Sequence, residues 1–181
     1  MVIKETKLKG CFILEPKVFG DSRGYFFESF NQKKFNDLVG LEINFNQDNE
    51  SFSTKGALRG LHYQVGEYAQ AKLVRVIKGN VLDIAVDIRK DSPTFGEYVS
   101  LELSEENKAQ LFIPRGFAHG FIVLSDSAIF SYKCDNFYNK EFERGIIYND
   151  KDLNIDWKFD EKEFIISEKD LKLPTLKEAV L

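Results

Sequence analysis

The hydrophobic pattern is most regular between residues 72 and 89, where two runs rich in β-branched residues flank a short turn. The turn is Lys78-Gly79-Asn80, and Gly and Asn favour tight turns. The second run alternates between an apolar face and a face that includes two carboxylates: Leu82, Ile84, Val86 and Ile88 against Val81, Asp83, Ala85 and Asp87. This alternation is typical of a β-strand. The region therefore predicts a β-hairpin.

Short extended segments with the same character occur on both sides of this region. The predicted strands are 18–30, 45–51, 58–64, 98–103, 110–113, 120–124 and 128–133. Helical pattern is confined to residues 32–38 and to the neighbourhood of 168–171. Many short strands separated by turn signals indicate an all-β sandwich or barrel. The length of 181 residues favours one domain spanning residues 1–181.

Composition and charge narrow the class of protein. Hydrophobic residues make up 43% and charged residues 30%, as in ordinary globular proteins, and the 17 Phe suit a β-rich core. The net charge of −4 argues against a nucleic-acid surface, which needs clustered Lys and Arg. We expect no membrane span and no secretory signal, because no long apolar run occurs and the N-terminus is charged. Cys11 and Cys134 are expected to be reduced thiols in a cytoplasmic protein.

Two histidines, His62 and His119, lie in segments dense in polar and aromatic residues. A single histidine in a strand is more often structural than catalytic. Arg59 changes this balance, since an arginine in a strand with apolar neighbours usually has an anionic partner. Gly60 predicts a bulge or a close ligand approach, which would let Arg59 and His62 share a pocket despite their odd spacing.

A metal site is not expected in this chain. Residues 114–119, Pro-x-Gly-x-x-His, have the look of the downstream motif of metal-binding cupin barrels. The upstream His-x-His of such sites is missing, because position 64 is Gln. Two histidines are too few for a strong first-row metal site. The pattern therefore favours a metal-free cupin.

A metal-free site with His, Lys and Tyr suits proton transfer next to a carbonyl group. Histidine gains and loses a proton near neutral pH. Lys72 opens a predicted strand, from which its side chain could point into the barrel and stabilise an enolate, while Tyr132 lies within another strand and can deliver a proton. Each also has a structural interpretation, as a solvated strand end for Lys72 and as a core residue for Tyr132. Spacing alone does not choose between these interpretations.

Seven segments, in this order, closely resemble the dTDP-4-dehydrorhamnose 3,5-epimerase family: 21–28, 46–51, 58–64, 72–76, 91–96, 113–121 and 167–170. The most specific pair is Arg-Gly-Leu-His-Tyr-Gln at 59–64 with Pro-Arg-Gly-Phe-Ala-His-Gly-Phe at 114–121. The resemblance implies a double-stranded β-helix, that is, a cupin-like jelly-roll barrel with a few short helices. It also implies a homodimer in which an N-terminal strand of one subunit joins the sheet of the other. No redox cofactor or metal is implied.

The resemblance also implies roles for individual residues. His62 matches the general base and Asp170 its carboxylate partner, Lys72 matches the residue at the 4-keto oxygen, and Tyr132 matches the general acid. Arg and Lys would bind the diphosphate, and aromatic side chains would surround the thymine. The positions that match nucleotide-sugar contacts are Arg23, Glu28, Gln47, Asn49, Arg59, His119, Glu143 and Lys169.

The implied substrate is dTDP-4-keto-6-deoxyglucose, inverted at the two carbons beside its keto group. Four alternatives stay open. Two are enzymes on related nucleotide sugars: an epimerase that inverts a single carbon and a 3,4-ketoisomerase. The third is a non-catalytic cupin that binds sugar nucleotides, and the fourth is a metal-dependent cupin oxygenase. Retention of His62, Lys72, Tyr132 and Asp170 argues against a purely binding protein.

Overall fold

The computed structural model describes residues 1–181 and contains fourteen β-strands, one α-helix and three short 3-10 helices. The first seven strands are β1 Val2–Glu5, β2 Phe12–Glu15, β3 Val18–Asp21, β4 Gly24–Phe27, β5 Gln47–Thr54, β6 Ala57–Gln64 and β7 Lys72–Lys78. The remaining strands are β8 Asn80–Asp87, β9 Tyr98–Ser104, β10 Gln110–Ile113, β11 Phe117–Val123, β12 Ser127–Cys134, β13 Glu143–Gly145 and β14 Ile165–Ile166. The prediction of many short strands is confirmed.

Twelve of the strands form two sheets. The first sheet has the order β1-β2-β10-β7-β12-β5, and the second has the order β13-β6-β11-β8-β9 with β14 parallel to β6. A cluster of buried apolar side chains from both sheets fills the space between them. From β5 to β8 and from β9 to β13, consecutive strands alternate between the two sheets, as in a jelly roll. The predicted double-stranded β-helix, a cupin-like barrel with a few short helices, is confirmed.

The predicted hairpin over residues 72–89 is wrong. Both strands exist, but β7 pairs with β10 and β12 in the first sheet, whereas β8 pairs with β11 and β9 in the second. Each strand already has two hydrogen-bonded neighbours, so neither has an edge left for the other. The turn at Gly79 instead carries the chain across from one sheet to the other. There the Gly79 N–H donates to Glu105 and the Asn80 N–H donates to Ser125.

Strand β8 is buried on both faces, and this explains its sequence. The face with Val81 and Ala85 points into the barrel. The opposite face, with Leu82 and Ile84, contacts a second core that is covered by the C-terminal segment, including Trp157. A strand of this kind needs apolar residues on both sides and a partner for every carboxylate it carries.

The single α-helix, α1, spans Gln32–Val39 and matches the predicted 32–38. The Asn31 side chain accepts a hydrogen bond from the Lys34 N–H at its start, and Gly40 ends it in the left-handed conformation. Phe35 is buried against the outer face of the first sheet, with its ring centroid 5.2 Å from that of Phe112. The second predicted helical piece is a 3-10 turn at Asp170–Lys172. No helix has the length and apolar character that a membrane span requires.

The predicted extended segment 18–30 is a two-stranded hairpin that belongs to neither large sheet. It consists of β3 and β4. Its surface is unusually aromatic, because Phe19 is 53%, Tyr25 61% and Phe26 69% exposed. A cluster of exposed apolar side chains marks an interaction surface more often than a single exposed residue does.

Candidate active site

The barrel has one main cavity of about 530 Å³, which opens between the two sheets. The second sheet contributes His62 and His119 to its lining, and the first contributes Lys72 and Tyr132. The C-terminal segment adds Asp170. The four residues that matched a catalytic role therefore lie in one cavity. Arg59, His119 and Lys169, which matched substrate contacts, line the same cavity.

His62 and Asp170 form a hydrogen-bonded pair. His62 Nε2 lies 2.7 Å from Asp170 Oδ1, and the other carboxylate oxygen accepts a 3.3 Å hydrogen bond from the Gly60 N–H. Burial opposes ionisation of Asp170, but the hydrogen bond and charge of His62, the Gly60 N–H and the charge of Lys169 together outweigh it and hold the pKa of this carboxyl below its usual range. An ionised carboxylate at Nε2 leaves Nδ1 of His62 with the lone pair that a general base needs.

A bulge at Gly60 explains how Arg59 and His62 reach the same cavity. The pairing of β11 with β6 is in register at His119 and His62, shifts by one residue, and resumes at Phe121 and Arg59. Such a shift reverses the alternation of side chains between faces. A Cβ atom on Gly60 would lie 2.6 Å from the Cα of Gly120. The predicted bulge is confirmed, and the close approach at Gly60 is to backbone.

Lys72 and Tyr132 face the histidines from the opposite wall. Lys72 Nζ lies 5.8 Å from the centroid of the Tyr132 ring. Burial lowers the pKa of Lys72 and raises the pKa of Tyr132. A tyrosine with a raised pKa stays protonated at neutral pH, as a proton donor must. Because burial disfavours the charged form of Lys72, negative charge that develops near its ammonium group stabilises it strongly.

His119 also has a carboxylate partner. Its Nε2 lies 2.9 Å from Oδ2 of Asp83, and both side chains are buried. Its ring stacks near Phe130 at a centroid distance of 6.0 Å. Burial lowers the pKa of His119, with Asp83 opposing that effect. The cavity is therefore lined by two histidines on adjacent strands, each of which is paired with a carboxylate.

A second, smaller cavity of about 220 Å³ adjoins the first and shares His62, Lys72 and Tyr132 with it. It contains three further residues that matched substrate contacts: Gln47, Asn49 and Glu143. Gln47 Nε2 donates to Asn49 Oδ1 over 3.0 Å, and the Asn49 amide donates to the Cys134 thiol. These contacts fix the two amides on one wall.

Glu143 is held by two donors. Lys169 Nζ lies 2.6 Å and the Tyr138 hydroxyl 2.9 Å from the same oxygen, Oε2. Burial favours the neutral acid, but these hydrogen bonds outweigh it and lower the pKa of Glu143. The pKa of Lys169 is raised by Glu143 in return. Both groups are thus charged at the rim between the two cavities.

Arg23 and Glu28 are not brought to either cavity. Arg23 lies at the exposed tip of the β3–β4 hairpin, where its guanidinium binds Asp21 at 2.7 Å. Glu28 follows β4 and binds Lys34 at 2.8 Å. A single chain therefore does not bring these two residues together with the other positions that matched substrate contacts.

Three residues at the site were missed in the sequence. Asp83 supports His119, Ser53 accepts a 3.0 Å hydrogen bond from Arg59 Nε, and Tyr138 supports Glu143. Asp83 had a signal in the sequence, because it shares the barrel-facing side of β8 with Val81 and Ala85. Ser53 and Tyr138 had none, since their contacts depend on how separate strands and loops are packed.

The arrangement does not fit a bound metal. No group of three or more His, Cys, Asp or Glu side chains is placed to hold an ion. Gln64 stands where a cupin metal site would have histidine, and its side chain is held by hydrogen bonds to the surrounding loops. Its amide donates to the Tyr68 and Phe137 carbonyls and accepts from the Asn139 N–H. Cys11 and Cys134 are free and buried.

Known proteins are similar to this chain in sequence and in fold over nearly its whole length. A dTDP-4-dehydrorhamnose 3,5-epimerase from Shigella flexneri is 58% identical to this chain, and the match covers 94% of this chain and 93% of the Shigella protein. The crystal structure of a dTDP-6-deoxy-D-glucose-3,5-epimerase from Legionella pneumophila, in complex with dTDP-4-keto-L-rhamnose, superposes with a TM-score of 0.94. It is 50% identical and covers 98% of this chain and 93% of that one.

A more distant neighbour has a different specificity. A 3'-monoepimerase from Streptomyces bikiniensis, in complex with dTDP-quinovose, superposes with a TM-score of 0.89 at 32% identity, covering 95% of this chain and 86% of that one. The family model for dTDP-4-dehydrorhamnose 3,5-epimerase matches residues 5–178. Since that match covers almost every residue that builds the barrel and its cavity, this chain belongs to the dTDP-4-dehydrorhamnose 3,5-epimerase family.

Proposed function

We propose that this chain inverts C3 and C5 of dTDP-4-keto-6-deoxyglucose to give dTDP-4-keto-L-rhamnose in dTDP-rhamnose biosynthesis. One observation carries the proposal. His62 on one sheet, paired with Asp170 of the C-terminal segment, faces Lys72 and Tyr132 on the other sheet across a single cavity. A base on one wall and a proton donor on the opposite wall is the arrangement that inversion at a carbon requires.

The chemistry follows from the acidity of the carbons beside a keto group. His62 Nδ1 takes the proton from one such carbon, and the electron pair of the C–H bond moves through the carbonyl to its oxygen. Lys72 stabilises the enolate oxygen that forms. The Tyr132 hydroxyl then gives its proton to the same carbon from the opposite face, and solvent restores the protonation states of both residues. A repeat at the second carbon completes the double inversion.

Asp170 prepares His62 for this task. As an ionised carboxylate it accepts a hydrogen bond from Nε2–H, so the neutral imidazole presents its lone pair at Nδ1. It then stabilises the imidazolium that forms when the proton is taken. The Gly60 N–H holds the second oxygen of Asp170 and so fixes the carboxylate.

The remaining matched residues are proposed to hold the nucleotide part. Arg59, His119 and Lys169 supply positive charge or donors for a diphosphate along the rim of the cavity. Gln47, Asn49 and Glu143 line the adjoining cavity, which suits hydroxyl and amide groups.

We further propose a homodimer in which the β3–β4 hairpin of a second copy completes each site. Arg23 and Glu28 lie on or next to this hairpin, away from the cavity of their own chain. The exposed aromatic surface of the hairpin supports burial against another copy. Strand β1 lies at the edge of the first sheet and pairs only with β2, so its other side is open to a further strand. A cytoplasmic location stays a prediction.

Inversion of a single carbon is the second candidate. This second candidate is supported by the similarity to a 3'-monoepimerase, which has the same fold at 32% identity. A base and an acid on opposite walls serve one inversion as well as two. The number of carbons inverted depends on how the sugar ring lies in the cavity.

Proton NMR of the protein with dTDP-4-keto-6-deoxyglucose in deuterated water tests the proposal. We expect deuterium at both carbons beside the keto group and an L-sugar product that a reductase can trap. Deuterium at one carbon would establish single inversion instead, and migration of the keto group would establish a ketoisomerase. Binding without exchange would contradict catalysis on this substrate. The His62→Asn protein serves as the control that should show no exchange.

A further inference from the structure

His119 lines the main cavity and is paired with a buried carboxylate, Asp83, to which the mechanism above gives no role. Asp83 on β8 is fully buried, and its Oδ2 lies 2.9 Å from His119 Nε2. Its other oxygen, Oδ1, is also buried and has no hydrogen-bond partner. A buried carboxylate oxygen without a partner costs stability. Departures of this kind concentrate at functional sites.

His119 has one ring nitrogen committed to Asp83 and one left for a ligand. Nε2 binds Asp83, Nδ1 has no hydrogen-bond partner in the chain, and the residue lines the cavity. When an ionised Asp83 accepts a hydrogen bond from Nε2–H, Nδ1 is an acceptor in the neutral imidazole and a donor only in the imidazolium. An anionic oxygen placed at Nδ1 therefore requires His119 to take up a proton.

The groups around His119 act in opposite directions. Burial lowers the pKa of His119 in the empty site, Asp83 opposes this, and Lys72 and His62 add to it. Strand β6 also contributes Arg59 to the cavity, and β12 contributes Tyr132. Asp83 is thus the neighbour that favours the imidazolium, and an arriving anion would act in the same direction.

We propose that Asp83 is a positioning residue for substrate binding, which holds His119 with Nδ1 available to the cavity and makes the imidazole take up a proton when the diphosphate binds. This inference rests on the proposed function, because that function makes the anion the diphosphate of a nucleotide sugar. The proton comes from solvent, and no covalent bond of the substrate changes. The empty site keeps His119 neutral, and the bound site makes it a cation.

Two measurements on the unmodified protein test the inference. Calorimetric titration with dTDP and, separately, with inorganic pyrophosphate in buffers of different ionisation enthalpy counts the protons taken up on binding. Nitrogen-15 NMR of histidine-labelled protein reports the ring of His119 directly, because the chain has only two histidines. We expect proton uptake with both ligands and a change of His119 from neutral to cationic.

The Asp83→Asn protein separates charge from shape. The amide keeps the size and a partner for Nε2, but it removes the negative charge. We expect affinity for dTDP to fall by about ten- to a hundredfold and the proton uptake to disappear. In a His119→Asn background the same change should cause no further loss of affinity, because Asp83 acts through His119. Asp126→Asn, which alters an exposed carboxylate on a turn, serves as the matched control.

Each outcome decides the matter. Binding of both ligands without proton uptake, or equal uptake by the Asp83→Asn protein, would overturn the role of Asp83 and leave the epimerase proposal standing. Pyrophosphate binding with uptake, together with no binding of dTDP, would support Asp83 and overturn the nucleotide. Binding of neither ligand would overturn both. If the Asp83→Asn protein does not fold, a neutral His119 in the dTDP complex of the unmodified protein would still refute the inference.

Discussion

At the scale of single residues, burial sets the ionisation of the two groups on the first sheet. It raises the pKa of Tyr132 and lowers the pKa of Lys72. The tyrosine is therefore held as a proton donor, whereas the lysine gains most from negative charge that appears during the reaction. Interactions that strengthen in the transition state raise kcat rather than ground-state affinity.

Replacing Lys72 by Met should therefore damage turnover far more than binding. The change keeps the length of the side chain and removes its charge. We expect kcat to fall by about a hundred- to a thousandfold, as when an oxyanion donor is lost, while KM changes by only a few fold. Steady-state kinetics measures both quantities.

Lys78→Met is the matched control, because Lys78 lies at the exposed end of the same strand, β7. It should leave both constants unchanged. An equal loss of kcat and of affinity in the Lys72→Met protein would contradict a role in stabilising the enolate.

At the scale of elements, Asp87 organises the connection between β8 and β9. Its buried carboxylate accepts hydrogen bonds from the Arg89 guanidinium and from the hydroxyls of Ser92 and Thr94. Arg89 in turn donates to the Lys9 carbonyl, which ties the N-terminal region to this loop. Burial opposes ionisation of Asp87, but these donors outweigh it and hold the pKa of Asp87 well below its usual range.

Asp87→Asn should lower the free energy of unfolding at pH 7 by about 2–3 kcal/mol, since charged hydrogen bonds are lost in a buried place. A lowered pKa in the folded state gives stability that is fully present above the carboxyl pKa of the unfolded chain. That stability is lost as the pH falls through the folded-state value. The difference between the two proteins should therefore shrink below about pH 4.

Urea unfolding at a series of pH values measures this difference. Asp91→Asn, at an exposed position of the same loop, should change little at any pH. A difference between the Asp87→Asn and unmodified proteins that stays constant down to low pH would show that the charge of Asp87 is not what stabilises the loop.

At the scale of the whole molecule, one chain builds most of the site but not all of it. The barrel collects the proposed catalytic residues, whereas Arg23 lies at the tip of the β3–β4 hairpin and Glu28 directly after β4, outside both cavities. If a second copy supplies these residues, then each site contains His62 from one chain and Arg23 from the other. This arrangement makes a direct test by mixing possible.

Arg23→Ala and His62→Ala proteins should each be nearly inactive alone and should regain activity when mixed, provided that subunits exchange. Half of the dimers in an equal mixture are mixed, and one of their two sites has both residues intact. Activity should therefore approach about a quarter of that of the unmodified protein. Epimerase assays after co-refolding measure this recovery. Its absence in a mixture shown to contain mixed dimers would place Arg23 in the site of its own chain or outside any site.

Much of the local structure could be predicted because it depends on residues close in sequence. The alternation in 81–88 predicts a strand, and the periodic pattern at 32–38 predicts the helix. Each pattern has the residue period of its backbone conformation. The pairing of the strands could not be predicted in the same way. Gly79 and Asn80 suit a hairpin turn as well as a crossing between sheets, and only the free edges of the neighbouring strands decide which one forms.

The same division holds for the site. The sequence by itself determined the inventory of reactive groups: two histidines, Lys72, Tyr132 and a resemblance that marked Asp170. Only the tertiary structure decided which groups meet. It brought Asp170 to His62 across 108 residues, added Asp83 to His119, and left Arg23 outside the cavity. The physical reason is that reactivity depends on distance, burial and charge, and these are set by contacts between strands that lie far apart along the chain.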